Sequence, residues 1–61
     1  MNNEELEEKR QYVISLYDEL LMKTENRGVS YGELAYINNL TQDELEEIEK
    51  EILEELESES E

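Results

Sequence analysis

Hydrophobic residues recur along the first part of the chain at the spacing of an amphipathic α-helix. Leu6, Val13 and Leu20 fall on one line at 100° per residue, and further apolar residues flank this line on both sides. The pattern predicts a first helix near residues 4–26, with Gly28 in the left-handed position that ends it. Because the apolar arc of this helix is wide, we expect it to contact two other helices.

Two helix-start signals follow, eleven residues apart. The segment Ser30-Tyr31-Gly32-Glu33 has the S-x-x-E spacing of a capping box, and Thr41-Gln42-Asp43-Glu44 repeats it. These signals predict a short second helix near residues 31–39 and a third helix near residues 42–57. Residues 58–61 have nothing to bury, so we expect them to form a frayed acidic tail.

These elements predict an all-α fold, a compact three-helix unit of long-short-long order that forms a single domain over residues 1–57. The spacing of the second and third helices also predicts helix-turn-helix-like packing between them. In that packing, Ala35 is the small residue at the helix crossing, and Asn39 replaces the usual turn glycine in a left-handed conformation. The predicted core consists of ten residues: Leu6, Val13, Leu16, Leu20, Leu34, Ala35, Ile37, Leu45, Ile48 and Ile52.

The composition argues against an enzyme. The chain contains neither cysteine nor histidine, so thiolate metal sites, the commonest zinc ligand and Ser-His or Cys-His pairs are all excluded. Its carboxylates follow straight helices, where they do not converge on one ion, and the sequence contains no EF-hand loop. We therefore predict a non-enzymatic protein without a cofactor or a specific metal site.

The charge balance indicates the kind of partner. Nineteen acidic residues against five basic ones give a net charge of −14, which repels nucleic acid phosphates and anionic membranes and attracts basic surfaces. The longest apolar run is far shorter than the roughly 18 residues needed to span a bilayer. These features predict a soluble, cytoplasmic protein that binds neither nucleic acid nor membrane directly.

Negative charge is concentrated in the third helix and the tail. From Asp43 to Glu61 there are eleven acids and one lysine, which together carry −10 of the net −14. Acids at i, i+3 and i+4 lie roughly 5–6 Å apart at their Cβ atoms, which is comparable to phosphate spacing along a nucleic acid strand. The candidate partner-binding residues are these acids and one tyrosine expected to be exposed: Asp43, Glu46, Glu47, Glu51, Glu54, Glu55 and Tyr36.

Two functions are compatible with this pattern. The leading hypothesis is an inhibitor or regulator whose acidic helix imitates DNA or RNA phosphates and binds a basic nucleic-acid-binding protein. In charge and length the chain is similar to small acidic phage inhibitors such as anti-restriction and anti-CRISPR proteins. The alternative is a helical adaptor or homodimer whose acids serve only solubility, with Ile14, Leu21 and Met22 as the self-complementary patch. Tyr17 and Tyr31 are expected at the rim of the core.

Overall fold

The computed structural model describes residues 3–59, which form three helices. They are α1 (Asn3–Glu25), α2 (Tyr31–Asn38) and α3 (Gln42–Glu59). The predicted all-α fold of long-short-long order is confirmed. Ser58 and Glu59, assigned to the tail, belong to α3, whereas residues 60 and 61 of that tail lie outside the described residues.

Both predicted capping boxes form. The Ser30 Oγ atom accepts a hydrogen bond from the Glu33 backbone N–H at 3.3 Å, and the Ser30 N–H donates to Glu33 Oε1 at 2.9 Å. Thr41 and Glu44 make the same reciprocal pair, at 3.3 and 2.9 Å. Because each box satisfies backbone donors that the first helical turn leaves free, the starts of α2 and α3 are set by four-residue segments.

The end of α1 differs from the prediction. Asn26, with φ of 56°, takes the left-handed position immediately after the helix, and no described glycine has a positive φ. Asparagine tolerates this conformation better than most residues. Gly28 instead leaves room for a carboxylate, because a Cβ atom there would lie 3.0 Å from Asp18 Oδ1, which accepts the Val29 N–H at 3.1 Å, and the Asp18 side chain would have to shift.

The core lies mainly between α1 and α3, with α2 packed on α1. Direct contact between α2 and α3 is slight. Leu45 and Val13 are fully buried at the centre. Seven residues form the buried cluster: Val13, Leu20, Ile37, Leu40, Leu45, Ile52 and Leu56. Three further predicted core residues, Leu6, Leu16 and Ile48, are partly buried against this cluster.

Two predictions about α2 were wrong. Ala35 is exposed, because α2 packs on α1 and has little contact with α3 that a small residue could bring closer. Asn39 is not left-handed, with φ of −103°. Its backbone N–H and side-chain amide instead donate to the carbonyl oxygens of Tyr36, at 3.2 Å, and Ala35, at 2.7 Å. These bonds satisfy acceptors that the last turn of α2 leaves free.

Candidate partner-binding site

The predicted acids of α3 are all exposed, but they form two surfaces rather than one. At 100° per residue, four of them occupy an arc of about 100° on the side of α3 opposite Leu45 and Ile52. None of these four forms an ion pair with another residue of the described range. We call this set the outward face: Asp43, Glu46, Glu47 and Glu54.

The remaining candidates, Glu51, Glu55 and Tyr36, line an open groove between the three helices. The groove has a volume of about 440 Å³. Tyr36 is 58% exposed, as the sequence predicts. Glu51 and Glu55 therefore belong to a concave surface, whereas the outward face is convex.

The floor of the groove is apolar and its rim is acidic. The floor is made of aliphatic side chains from all three helices: Leu20, Leu21, Ile37, Ile48 and Ile52. Tyr17 and Tyr36 flank it, and the carboxylates of Glu25, Glu33, Glu51 and Glu55 surround it. The arrangement suits a ligand that has an apolar part and a positive charge.

A hydrogen-bonded cluster around Glu33 holds one edge of this groove. Arg27 donates to both carboxylate oxygens of Glu33, at 2.9 and 3.1 Å, and the Tyr17 hydroxyl donates to Oε2 at 3.0 Å. These contacts, with the Arg27 pair largest and the Ser30 N–H next, hold the pKa of Glu33 well below its usual range. Burial and the Glu33 carboxylate raise the pKa of Tyr17. Glu33 is therefore ionised at neutral pH and joins α2 to α1.

Three of the five basic side chains, Lys9, Arg10 and Lys23, lie on α1. Each interacts either with an acid of α1 or with another segment that packs on α1. Lys9 pairs with Glu49 across the α1 and α3 interface. Arg10 donates to the Leu40 carbonyl oxygen at 3.2 Å, and Lys23 lies 3.6 Å from Glu19 within α1. The fifth cation, Lys50, is exposed on α3 and lies within the arc of the outward face, but it forms no ion pair with a residue of the described range. Four acids and one lysine leave this face with a net charge of −3.

The sequence interpretation missed the part of the groove that α1 and the start of α2 provide. Tyr17, Leu21 and Glu25 are spaced i, i+4, i+8, so they form one row at the edge of the apolar arc of α1. Ile48 and Ile52, beside Glu51 and Glu55, form a matching row on α3. Both rows are visible in the sequence, but that they face one another depends on how the helices pack.

Two other sequence interpretations do not fit the structure. Tyr31, expected at the core rim, is 91% exposed, because it is the first residue of α2 and points away from α1 and α3 contacts. In the predicted self-association patch, Leu21 is only 3% exposed and Ile14 is partly buried, which leaves Met22 as its exposed member. The patch therefore offers little apolar area to a second copy.

Within residues 3–59, no group of three or more His, Cys, Asp or Glu side chains is arranged to hold a metal ion. None of the described helices combines the length and the apolar character needed to cross a membrane. Comparison of the chain with protein-family models, curated protein sequences and solved structures gave no significant match.

Proposed function

We propose that this protein is a non-enzymatic inhibitor or regulator that binds a basic, nucleic-acid-binding protein through α3. The outward face occupies the positively charged site that otherwise holds DNA or RNA phosphates. Its partner is a protein, since a net charge of −14 opposes direct contact with nucleic acid.

One observation carries the proposal: the outward face is an ordered, exposed row of acids without ion pairs among the described residues. Like-charge neighbours at i, i+4 destabilise a helix by roughly 0.2–0.5 kcal/mol per pair. On α1, by contrast, Glu7 and Glu19 each lie within reach of a cation. Lys50 is the one cation in this arc of the described α3, so the face keeps an excess of negative charge that is costly for the fold, and binding to a basic groove offsets this cost.

The test is a charge reversal confined to the outward face. The variant Glu46→Lys, Glu47→Lys, Glu54→Lys leaves the groove intact and changes the net charge from −14 to −8, because three reversals add six charges. Glu51 is left unchanged because it lines the groove. We expect the variant to lose about a hundredfold or more of its affinity for a basic partner, since each of the three charge contacts contributes about 1 kcal/mol, or roughly fivefold.

The matched control carries the same charge change on the outer side of α1, in the variant Glu4→Lys, Glu8→Lys, Glu19→Lys. These three positions are exposed, and circular dichroism on both variants checks that the helices persist. Partners are captured from lysate on the immobilised parent chain, then measured with purified protein at about 50 and 200 mM salt and with competing duplex DNA.

The proposal requires binding that weakens steeply with salt, that DNA displaces, and that only the α3 variant loses. Equal losses in both variants would show that net charge alone determines binding. Undiminished binding of the α3 variant would show that the outward face is only a solvated surface and would overturn the proposal.

A further inference from the structure

The groove between α1, α2 and α3 has the size of a ligand site. Its volume of about 440 Å³ lies within the roughly 300–1,000 Å³ that is typical of pockets which bury most of a small ligand. Its floor contains Ile48, which is only partly buried, and Tyr36 beside it is largely exposed. Apolar surface therefore remains open to water at the bottom of the groove, and a bound side chain would cover it.

We propose that this groove receives an amphipathic basic segment of the partner protein. An apolar side chain of that segment contacts Ile48 and the Tyr17 and Tyr36 rings, and neighbouring lysine or arginine residues pair with Glu51 and Glu55. The inference rests on the proposed function, because it takes the partner to be the same basic protein and adds a second contact region to it.

We expect the occupant to be positively charged because two carboxylates at the groove rim have no cation partner among the described residues. Glu25 and Glu33 already bind Arg27, at 3.0 and 2.9 Å. Glu51 and Glu55 form no ion pair with another residue in the range 3–59. They stand beside an apolar floor, where partial desolvation strengthens a charge pair relative to one in water. A segment with a cation next to an apolar side chain therefore pairs with the rim carboxylates and covers the apolar floor.

The same charges argue against a second copy of this chain as the occupant. Self-association through the groove would bring together the Glu51 and Glu55 carboxylates of two molecules, each with a net charge of −14. Like charges in close contact across an interface oppose binding. Tyrosine rings are favoured as anchors in interfaces with different partners, since they combine apolar area with a polar tip.

Gly32 allows the groove to be blocked without damaging the fold. It lines the groove near the start of α2, and a Cβ atom there would meet only Ser30 Oγ, at 4.0 Å. Its φ is not positive, so a side chain introduces no backbone strain. Replacing a helical glycine also favours folding. The variant Gly32→Leu therefore adds an aliphatic side chain to the wall of the groove, and Ala35→Leu, at an exposed α2 position that does not line the groove, is its control.

The probes are a helical peptide with leucine and lysine in amphipathic order and an oligolysine with the same number of lysines. Binding is measured by fluorescence anisotropy at low salt and at about 0.5 M salt, where charge attraction over distance is strongly screened. We expect the amphipathic peptide to bind the parent about tenfold or more tightly than oligolysine. Gly32→Leu should lose that advantage, and Ala35→Leu should retain it.

The outcomes separate this inference from the function on which it rests. Equal affinities for the two peptides, or unchanged peptide binding in Gly32→Leu, would overturn the groove inference even if the outward face binds its partner. Self-association of the parent that Gly32→Leu abolishes, seen by sedimentation, would assign the groove to a second copy and overturn it as well. Loss of partner binding only on reversal of Glu46, Glu47 and Glu54 would support the proposed function alone.

Discussion

At the scale of single residues, Glu33 has the most connected side chain described. Its carboxylate accepts four hydrogen bonds, two from Arg27 and one each from Tyr17 and the Ser30 backbone. These donors come from α1, from the loop and from the cap of α2, so one carboxylate joins three segments of the chain. An ionised acceptor makes such bonds stronger than a neutral one would.

Glu33 should therefore make stability depend on pH. Because its pKa is lower in the folded chain than its ordinary value of 4.5, its contribution is complete above that value and is lost as the pH falls below it. Glu33→Gln keeps the spacing of the capping box but removes the charge. We expect this variant to unfold at lower denaturant concentration than the parent at pH 7, and the difference to shrink as the pH falls below 4.5.

Urea titrations at several pH values measure that difference. Glu33→Ala, which removes the cap as well as the charge, is the control and should be less stable than Glu33→Gln at every pH. A difference between parent and Glu33→Gln that stays constant down to acidic pH would show that the ion pair contributes nothing.

Burial distinguishes Leu45 from Ile48, although both belong to the stripe that the sequence predicts. Leu45 is fully buried, whereas Ile48 is partly buried beside the groove. Truncating a buried aliphatic side chain to alanine costs about 2–5 kcal/mol. We expect Leu45→Ala to lose a value in that range and Ile48→Ala clearly less, as measured by urea unfolding. Equal losses would mean that the groove closes over Ile48 in solution.

The predicted burial of single residues was correct where it depends only on the position of the residue around its own helix. Val13 and Leu20, at the centre of the apolar arc of α1, are buried as expected. Tyr31 and Ala35 were misplaced because their burial depends on which helix α2 faces. That choice arises from packing between distant segments, and no local spacing in the sequence encodes it.

At the scale of elements, the helix starts are the best-determined features. Each depends on two side chains three residues apart, and both pairs form as the spacing predicts. The end of α1 was harder to predict, because Asn26 and Gly28 can both accommodate a left-handed conformation. The groove could not be predicted at all, since its walls come from separate elements whose relative positions the sequence does not display.

The two caps should contribute independently to stability. Removing a serine or threonine cap costs about 1 kcal/mol, because it leaves a backbone donor of the first turn without its partner. We expect Ser30→Ala and Thr41→Ala each to lose about that amount and the double variant to lose about the sum, since the caps share no partner. Urea unfolding of all four proteins measures this. A double variant no weaker than the single ones would indicate that α2 and α3 lose structure together.

At the scale of the whole molecule, charge opposes folding. A net charge of −14 is confined to a molecule with a Cα radius of gyration of 11.7 Å. The unfolded chain is more expanded and relieves much of this repulsion. Cross-helix contacts such as Lys9 with Glu49 offset only part of it.

We therefore expect the melting temperature to rise with ionic strength. Salt at about 0.5 M shortens the range of charge repulsion to a few ångströms, which favours the compact state. Circular dichroism melts in sodium chloride from low to high concentration measure the effect. The variant Glu4→Lys, Glu8→Lys, Glu19→Lys, with less net charge, should show a weaker salt dependence. A flat or falling melting temperature in the parent would show that the acids are well compensated.

The outward face of α3 also predicts which positions vary among the sequences of related chains. Glu46, Glu47 and Glu54 contribute nothing to the buried core and lie beyond the first turn of α3, so the fold alone places little selection for acids at these positions. Among chains that share an ancestor with this one, drift should replace unselected surface acids with serine, glutamine or lysine. If related chains keep these acids while the exposed acids of α1 change, selection by a binding partner has retained them.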